Sequence, residues 1–204
     1  MPQVDFIFDF ASPNAYLVHQ VIPQIEARTG ASFNYIPCLL GGIFKATNNQ
    51  APMIAFAGVK GKLDYDRLEM ERFIARHQIS HFTMNPDFPI NTLTLMRGAA
   101  ALELEGREPL MKYVDAMFRF MWEDPRNLND PGIVSATLAE AGYDAADLLA
   151  KAQSAVAKEH LIANTGKAVE RGVFGIPTFF VNEEMFYGKE RLQQVEEEID
   201  RAKR

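Results

Sequence analysis

Strand-forming sequence occurs only at the two ends of this chain. Near the start, Val4, Phe6, Phe8 and Phe10 alternate with Asp5, Ile7 and Asp9, the period-two pattern of a strand over 4–10. A second strand reads "SFNYIP", closed by Pro37, and the signal returns only in "GIPTFFV" and, after Asn182-Glu183-Glu184, in "MFYG". Everything between is patterned as helix, over about 64–77, 92–105, 109–122, 131–141, 144–152 and 155–171, with a last helix from about Glu190 to Lys203. The economical arrangement is an α/β fold in which a β-α-β half and an α-β-β-α half share one sheet. Residues 1–50 and 155–204 then form the sheet-bearing domain, and 51–154 an inserted helical domain. A chain of 204 residues, 48% of them hydrophobic, can fill such a core.

The first strand runs straight into a helix at "FDFASPNAYL". Ser12 is placed to be its N-cap and Pro13 its first residue, where the missing N–H costs nothing; the helix runs to about Arg28 and stops at Gly30. The unpaired N–H groups and positive end of the helix dipole favour an anion beside Ser12. The Ser12 hydroxyl can donate to such an anion. As a nucleophile it lacks an activating base, since no Ser-His-Asp pattern accompanies it among His19, His77, His81 and His160.

The chain has one cysteine, Cys38, which cannot form an internal disulfide or a reactive dithiol and reads as a small buried hydrophobe. Any sulfur chemistry must therefore use a sulfur brought by a ligand. A net charge of −6 with scattered Lys and Arg offers no stripe for nucleic acid. The opening "MPQVDFIFD" has no cationic segment before an apolar one, and no apolar run reaches the roughly 20 residues that span a bilayer. A cytoplasmic protein without nucleic-acid or membrane partners is expected.

The stretches "FDFASPNAYL", "LLGGIFKATNNQAP", "KLDYDRLEMERFI", "MWED", "VFGIPTFFV" and "EMFYGKERL" come in an order and spacing that resembles the DsbA-like thioredoxin-fold proteins. Within that group the chain resembles the 2-hydroxychromene-2-carboxylate isomerases and kappa-class glutathione transferases, and "KLDY" with "GIPTFFVNEEMFYG" brings it nearer the isomerases. The resemblance implies a thioredoxin-like fold, glutathione as cofactor, and Ser12 holding the glutathione sulfur as a thiolate. It implies a cis bond before Pro177, with Ile176 offering its backbone to the cysteinyl part of the tripeptide. Asn14, Asn49 and the turn Tyr187, Gly188, Lys189 and Glu190 fall where the family holds the rest. The turn often reads Gly-Ser-Asp or Gly-Asn-Asp, and an aromatic often stands at the position of Asn14, so the chain departs from the pattern there.

On the substrate side the resemblance points to Lys45, read as lying in a Gly-rich turn, and to Phe88 in "NPDFPINT". Trp122 reads as core. The implied reaction is the cis-trans isomerisation of an aromatic carboxylate in aromatic compound catabolism, with glutathione returned unchanged. A kappa-like transferase or peroxidase, and a non-catalytic thioredoxin-fold binding module, are the alternatives. No metal is assigned, and a homodimer is compatible with the resemblance.

Overall fold

A computed structural model describes residues 3–203. Four strands form one sheet in the order β2-β1-β3-β4: β1 (Gln3–Phe8), β2 (Ser32–Pro37), β3 (Thr178–Val181) and β4 (Glu184–Tyr187). β1 is central, pairing in parallel with β2 and antiparallel with β3. Its partner across the register at Phe6 is Tyr35 on one side and Phe179 on the other. The family fold expected from the sequence is thus present, with strands from both chain ends in a single sheet.

Side-chain alternation decides which face each helix covers. Phe6 stacks on Phe179 at 5.4 Å and meets Tyr35 edge-on at 4.9 Å, while Phe8 and Phe10 pack on Phe118. Phe118 belongs to α6 (Arg107–Trp122), and His19 of α1 (Pro13–Thr29) bonds the Tyr35 hydroxyl at 2.9 Å, so α1 and α6 close this face. On the other face Arg171, just after α9 (Ala155–Glu170), pairs with Asp5 and lies over the Phe180 ring. The remaining helices are α2 (Leu40–Thr47), α3 (Pro52–Ala55), α4 (Lys62–His77), α5 (Leu93–Glu105), α7 (Pro131–Glu140), α8 (Ala145–Gln153) and α10 (Leu192–Ala202). Among the described residues no helix is long and apolar enough to cross a membrane.

Four local expectations are corrected. The first strand ends at Phe8, two residues short of Phe10, because the Asp9 side chain accepts the Ala11 N–H at 2.9 Å and turns the chain. The stretch around Lys45 is not a Gly-rich turn but helix α2; Gly42 serves close packing, since a Cβ there would meet Thr165 Cγ2 at 3.2 Å. The last helix starts at Leu192, after a 3-10 turn over Lys189–Arg191, and β4 already begins at Glu184.

Candidate functional site

Ser12 is the N-cap of α1: its Oγ accepts the Ala15 N–H at 3.2 Å. The same hydroxyl donates to the carbonyl of Ile176 at 3.3 Å. The bond between Ile176 and Pro177 is cis. The two motifs singled out at opposite ends of the sequence therefore meet. Both residues are covered, Ser12 at 4% exposure and Ile176 at 6%. A hydroxyl has one proton, so donation to a ligand anion would replace donation to Ile176. A neutral bond contributes about 1 kcal/mol and a charge-assisted one about 1.5–3 kcal/mol, which favours the exchange when an anion is present.

The turn after β4 is tied to the same point. Gly188, at φ 94°, donates its N–H to the Pro177 carbonyl at 2.9 Å. The Tyr187 ring packs on Phe174 at 4.6 Å between centroids and lies so close to Gly175 that a Cβ there would sit 2.8 Å from it. Glycine at 175 is thus what lets the ring approach the backbone. Burial, then the charges of Glu190 and Asp66, push the Tyr187 hydroxyl up. Lys189 turns inward: it is buried, its ammonium pairs with Glu190 Oε1 and lies over the Phe73 ring of α4. Glu190 itself stays exposed, with one carboxylate oxygen committed to Lys189.

Asn49 lies just beyond α2 and donates from Nδ2 to the Phe174 carbonyl at 2.8 Å, two residues before Ile176. Asn14, two residues past the cap, has a buried Oδ1 with no hydrogen-bond partner among the described residues. Lys45 is exposed on α2, one turn before Asn49. Lys62, by contrast, is engaged by Asp66 and sits over the Phe56 ring. Phe88 is half-buried, 5.8 Å from the Trp122 ring; Trp122 is fully buried, and its indole N–H donates to the Phe10 carbonyl at 2.9 Å. Ser12, Ile176, Pro177, Asn49, Tyr187, Gly188 and Glu190 are thus linked through short contacts. Lys45 and Phe88 make no hydrogen bond or ring contact with that group among the described residues. Two surface cavities, of about 290 and 460 Å³, lie elsewhere and are lined by none of these residues.

Cys38 is fully buried, and burial, then Glu103 and Asp9, push its thiol far above the ordinary range. It is no thiolate at neutral pH. Asp9 is the residue that sequence reasoning passed over, because the alternation of β1 runs through it unbroken. Its carboxyl, 1% exposed, is pushed up by burial and held back by hydrogen bonds from Ala11, Thr92 and Leu40.

A family model described as a DSBA-like thioredoxin domain matches residues 3–200, nearly the whole chain. The chain belongs to the DSBA-like thioredoxin domain family. Within it, the chain is similar to the 2-hydroxychromene-2-carboxylate isomerase of Sphingobium xenophagum, 28% identical over 196 residues that cover 95% of each protein. It is also similar to glutathione S-transferase kappa 1 of Caenorhabditis elegans, 23% identical over 208 residues that cover 96% of this chain and 89% of the transferase. A solved 2-hydroxychromene-2-carboxylate isomerase superposes with a TM-score of 0.82 at 26% identity, covering 98% of this chain and 95% of that one. At the start of α1 the chain presents Ser12 and Asn14, with no cysteine there.

Proposed function

We propose that this protein is a glutathione-dependent cis-trans isomerase of an aromatic carboxylate resembling 2-hydroxychromene-2-carboxylate. The observation that carries the reading is the 3.3 Å contact of the Ser12 hydroxyl with the Ile176 carbonyl beside cis-Pro177, in a chain whose only thiol is buried and un-ionised. The residues fit a cysteinyl thiol. The helix N-terminus supplies positive potential, Ser12 a movable proton, Ile176 a backbone edge, and the orphan Asn14 Oδ1 an acceptor that lacks a donor. Glu190 retains an oxygen for an ammonium, and Asn49 braces the Phe174 carbonyl next to the edge.

When bound, glutathione supplies a thiolate that adds to a conjugated carbon and later leaves, so that a former double bond can turn in between. The task of this chain is to keep that sulfur ionised near neutral pH. Each 1.36 kcal/mol of selective thiolate stabilisation lowers its pKa by about one unit, so a charge-assisted bond from Ser12 together with the α1 dipole brings a thiol of about 8.5 to neutrality. Lys45 attracts the substrate carboxylate from α2, and Phe88 offers a face for its aromatic ring. The relatives named as isomerases support this reading over one of transfer.

The experiment is a spectroscopic isomerisation assay on 2-hydroxychromene-2-carboxylate with and without glutathione, with glutathione measured before and after. Turnover that requires glutathione and leaves its amount unchanged is expected. Consumption of glutathione into a conjugate would instead make the protein a transferase, and failure of calorimetry to detect binding at millimolar glutathione would leave a non-catalytic module.

A further inference from the structure

Asp9 stands outside every role described so far, yet more elements converge on its carboxylate than on any group of the Ser12 loop. Oδ1 accepts the Ala11 N–H at 2.9 Å and the Thr92 hydroxyl at 2.7 Å, and Oδ2 accepts the Leu40 N–H at 2.8 Å. The Asp9 backbone carbonyl accepts the Ser12 N–H at 3.1 Å. No Lys or Arg pairs with it among the described residues. Removing a carboxylate from water without a counter-ion costs several kcal/mol, so three donors from three segments are what make its burial tolerable.

Two of those donors come from helix starts that have no cap of their own. Leu39 precedes α2 and offers no side-chain acceptor, so Asp9 satisfies the first N–H of α2 from a different part of the chain. Thr92 stands where a threonine ordinarily caps its own helix, yet it makes no capping bond to α5 and gives its hydroxyl to Asp9. α2 in turn carries Lys45 and leads to Asn49, which bonds the Phe174 carbonyl. On the far side of the same loop, Trp122 of α6 holds the Phe10 carbonyl.

We propose that Asp9 is the positioning residue of this site, its carboxylate pinning the Ser12 loop to the starts of α2 and α5 and so fixing where the Ser12 hydroxyl points. The inference rests on the reading of Ser12 as a donor to a ligand's thiolate. All partners of Asp9 are donors, so an amide in its place would set an NH2 group against a backbone N–H; the carboxylate is not interchangeable with its isostere.

Asp9→Asn and Thr92→Val are compared with wild type by amide hydrogen exchange. The informative amides are those of Ala11, Ser12, Ala15 and Leu40; the Ala15 N–H is shared between Ser12 Oγ at 3.2 Å and the Ser12 carbonyl at 3.1 Å, so it reports the placement of Ser12 as a whole without any ligand. Loss of a bond to a charged acceptor predicts exchange at these sites about tenfold faster or more, relative to amides of β3 and α10. In the glutathione complex the ultraviolet thiolate titration should move up, with about three- to tenfold less thiolate at neutral pH and affinity within about threefold of wild type.

An equal rise at all amides would make Asp9 a general stabiliser and overturn the proposal. So would an unmoved thiol titration with the loop amides opened. Thr92→Val keeps the carboxylate and the threonine shape, and decides the matter if Asp9→Asn does not fold. If wild type binds no glutathione, the isomerase reading fails on its own, and the exchange pattern at Ala15 still supports or overturns the role of Asp9.

Discussion

The hydroxyl of Ser12 and the carbonyl of Ile176, 164 residues apart in sequence, lie within 3.3 Å. That single bond places a helix N-terminus against a strand edge, and the chemistry proposed for the protein depends on how easily the hydroxyl can turn from one acceptor to another.

Ser12→Ala should therefore act twice. Loss of the cap to Ala15 should lower stability by about 0.5–2 kcal/mol, measured by urea unfolding. Loss of the donor should raise the pKa of a bound glutathione thiol by roughly one to two units, so that turnover near neutrality falls about ten- to a hundredfold and recovers as pH is raised. Coincident thiolate titrations in an inactive Ser12→Ala would remove the donor role.

Cys38→Ala should leave the isomerisation rate within about twofold, because a thiol held un-ionised by burial takes no part in the reaction. The same variant should lose about 1 kcal/mol of stability through the small cavity left in the core. A variant that folds but does not turn over would mean that the protein's own thiol reacts.

Gly175→Ala places a methyl carbon 2.8 Å from the Tyr187 ring. Overpacking of this kind costs about 1–3 kcal/mol, and here the ring is the part that can move. Glutathione affinity, read by calorimetry, should fall more than the melting temperature does. Tyr187→Ala in the same background should restore the fold but not the affinity; restoration of both would show that the ring makes no contribution to binding.

His77 gives a pH dependence of defined sign. Burial against Phe73, then the nearby Arg76 and Arg28, holds its imidazole below the usual 6.5. The folded state then binds fewer protons than the unfolded one between the folded-state value and 6.5, so stability rises with pH across that window and is lowest below it. His77→Gln should flatten the difference in urea midpoint between pH 5 and 7.5. An unchanged difference would assign the dependence to other groups.

How far the molecule could be read from its sequence follows from the range of the forces involved. The Ser12 cap was legible because it is local: a serine followed by proline at the end of an apolar alternation has few other uses. The pairing of Ser12 with Ile176 was legible only through resemblance, since nothing within a few residues of either demands the other. The end of β1 at Phe8 was not legible, because Asp9 continues the alternation, and what commits its side chain to turning the chain at Ala11 includes partners at Leu40 and Thr92 that lie far away in sequence. α2 was hidden for the matching reason, its cap lying thirty-one positions away in Asp9. Lys189 is expected in the turn that holds part of the tripeptide, and its burial was not legible, because what provides for its ammonium includes the Phe73 ring of the distant α4 as well as the neighbouring Glu190.

The central place of β1 also has a temporal consequence. β1 leaves the ribosome before the other three strands, and its partner β2 soon after, but β3 follows only once the helices between them have been made. Until then the Val4, Phe6 and Ile7 edge that will receive β3 has no strand beside it, and such an edge is a template for association with other chains. A nascent chain of this protein must keep that edge protected through the synthesis of eight intervening helices, α2 to α9, so demand for chaperones should be set by elongation speed more than by final stability.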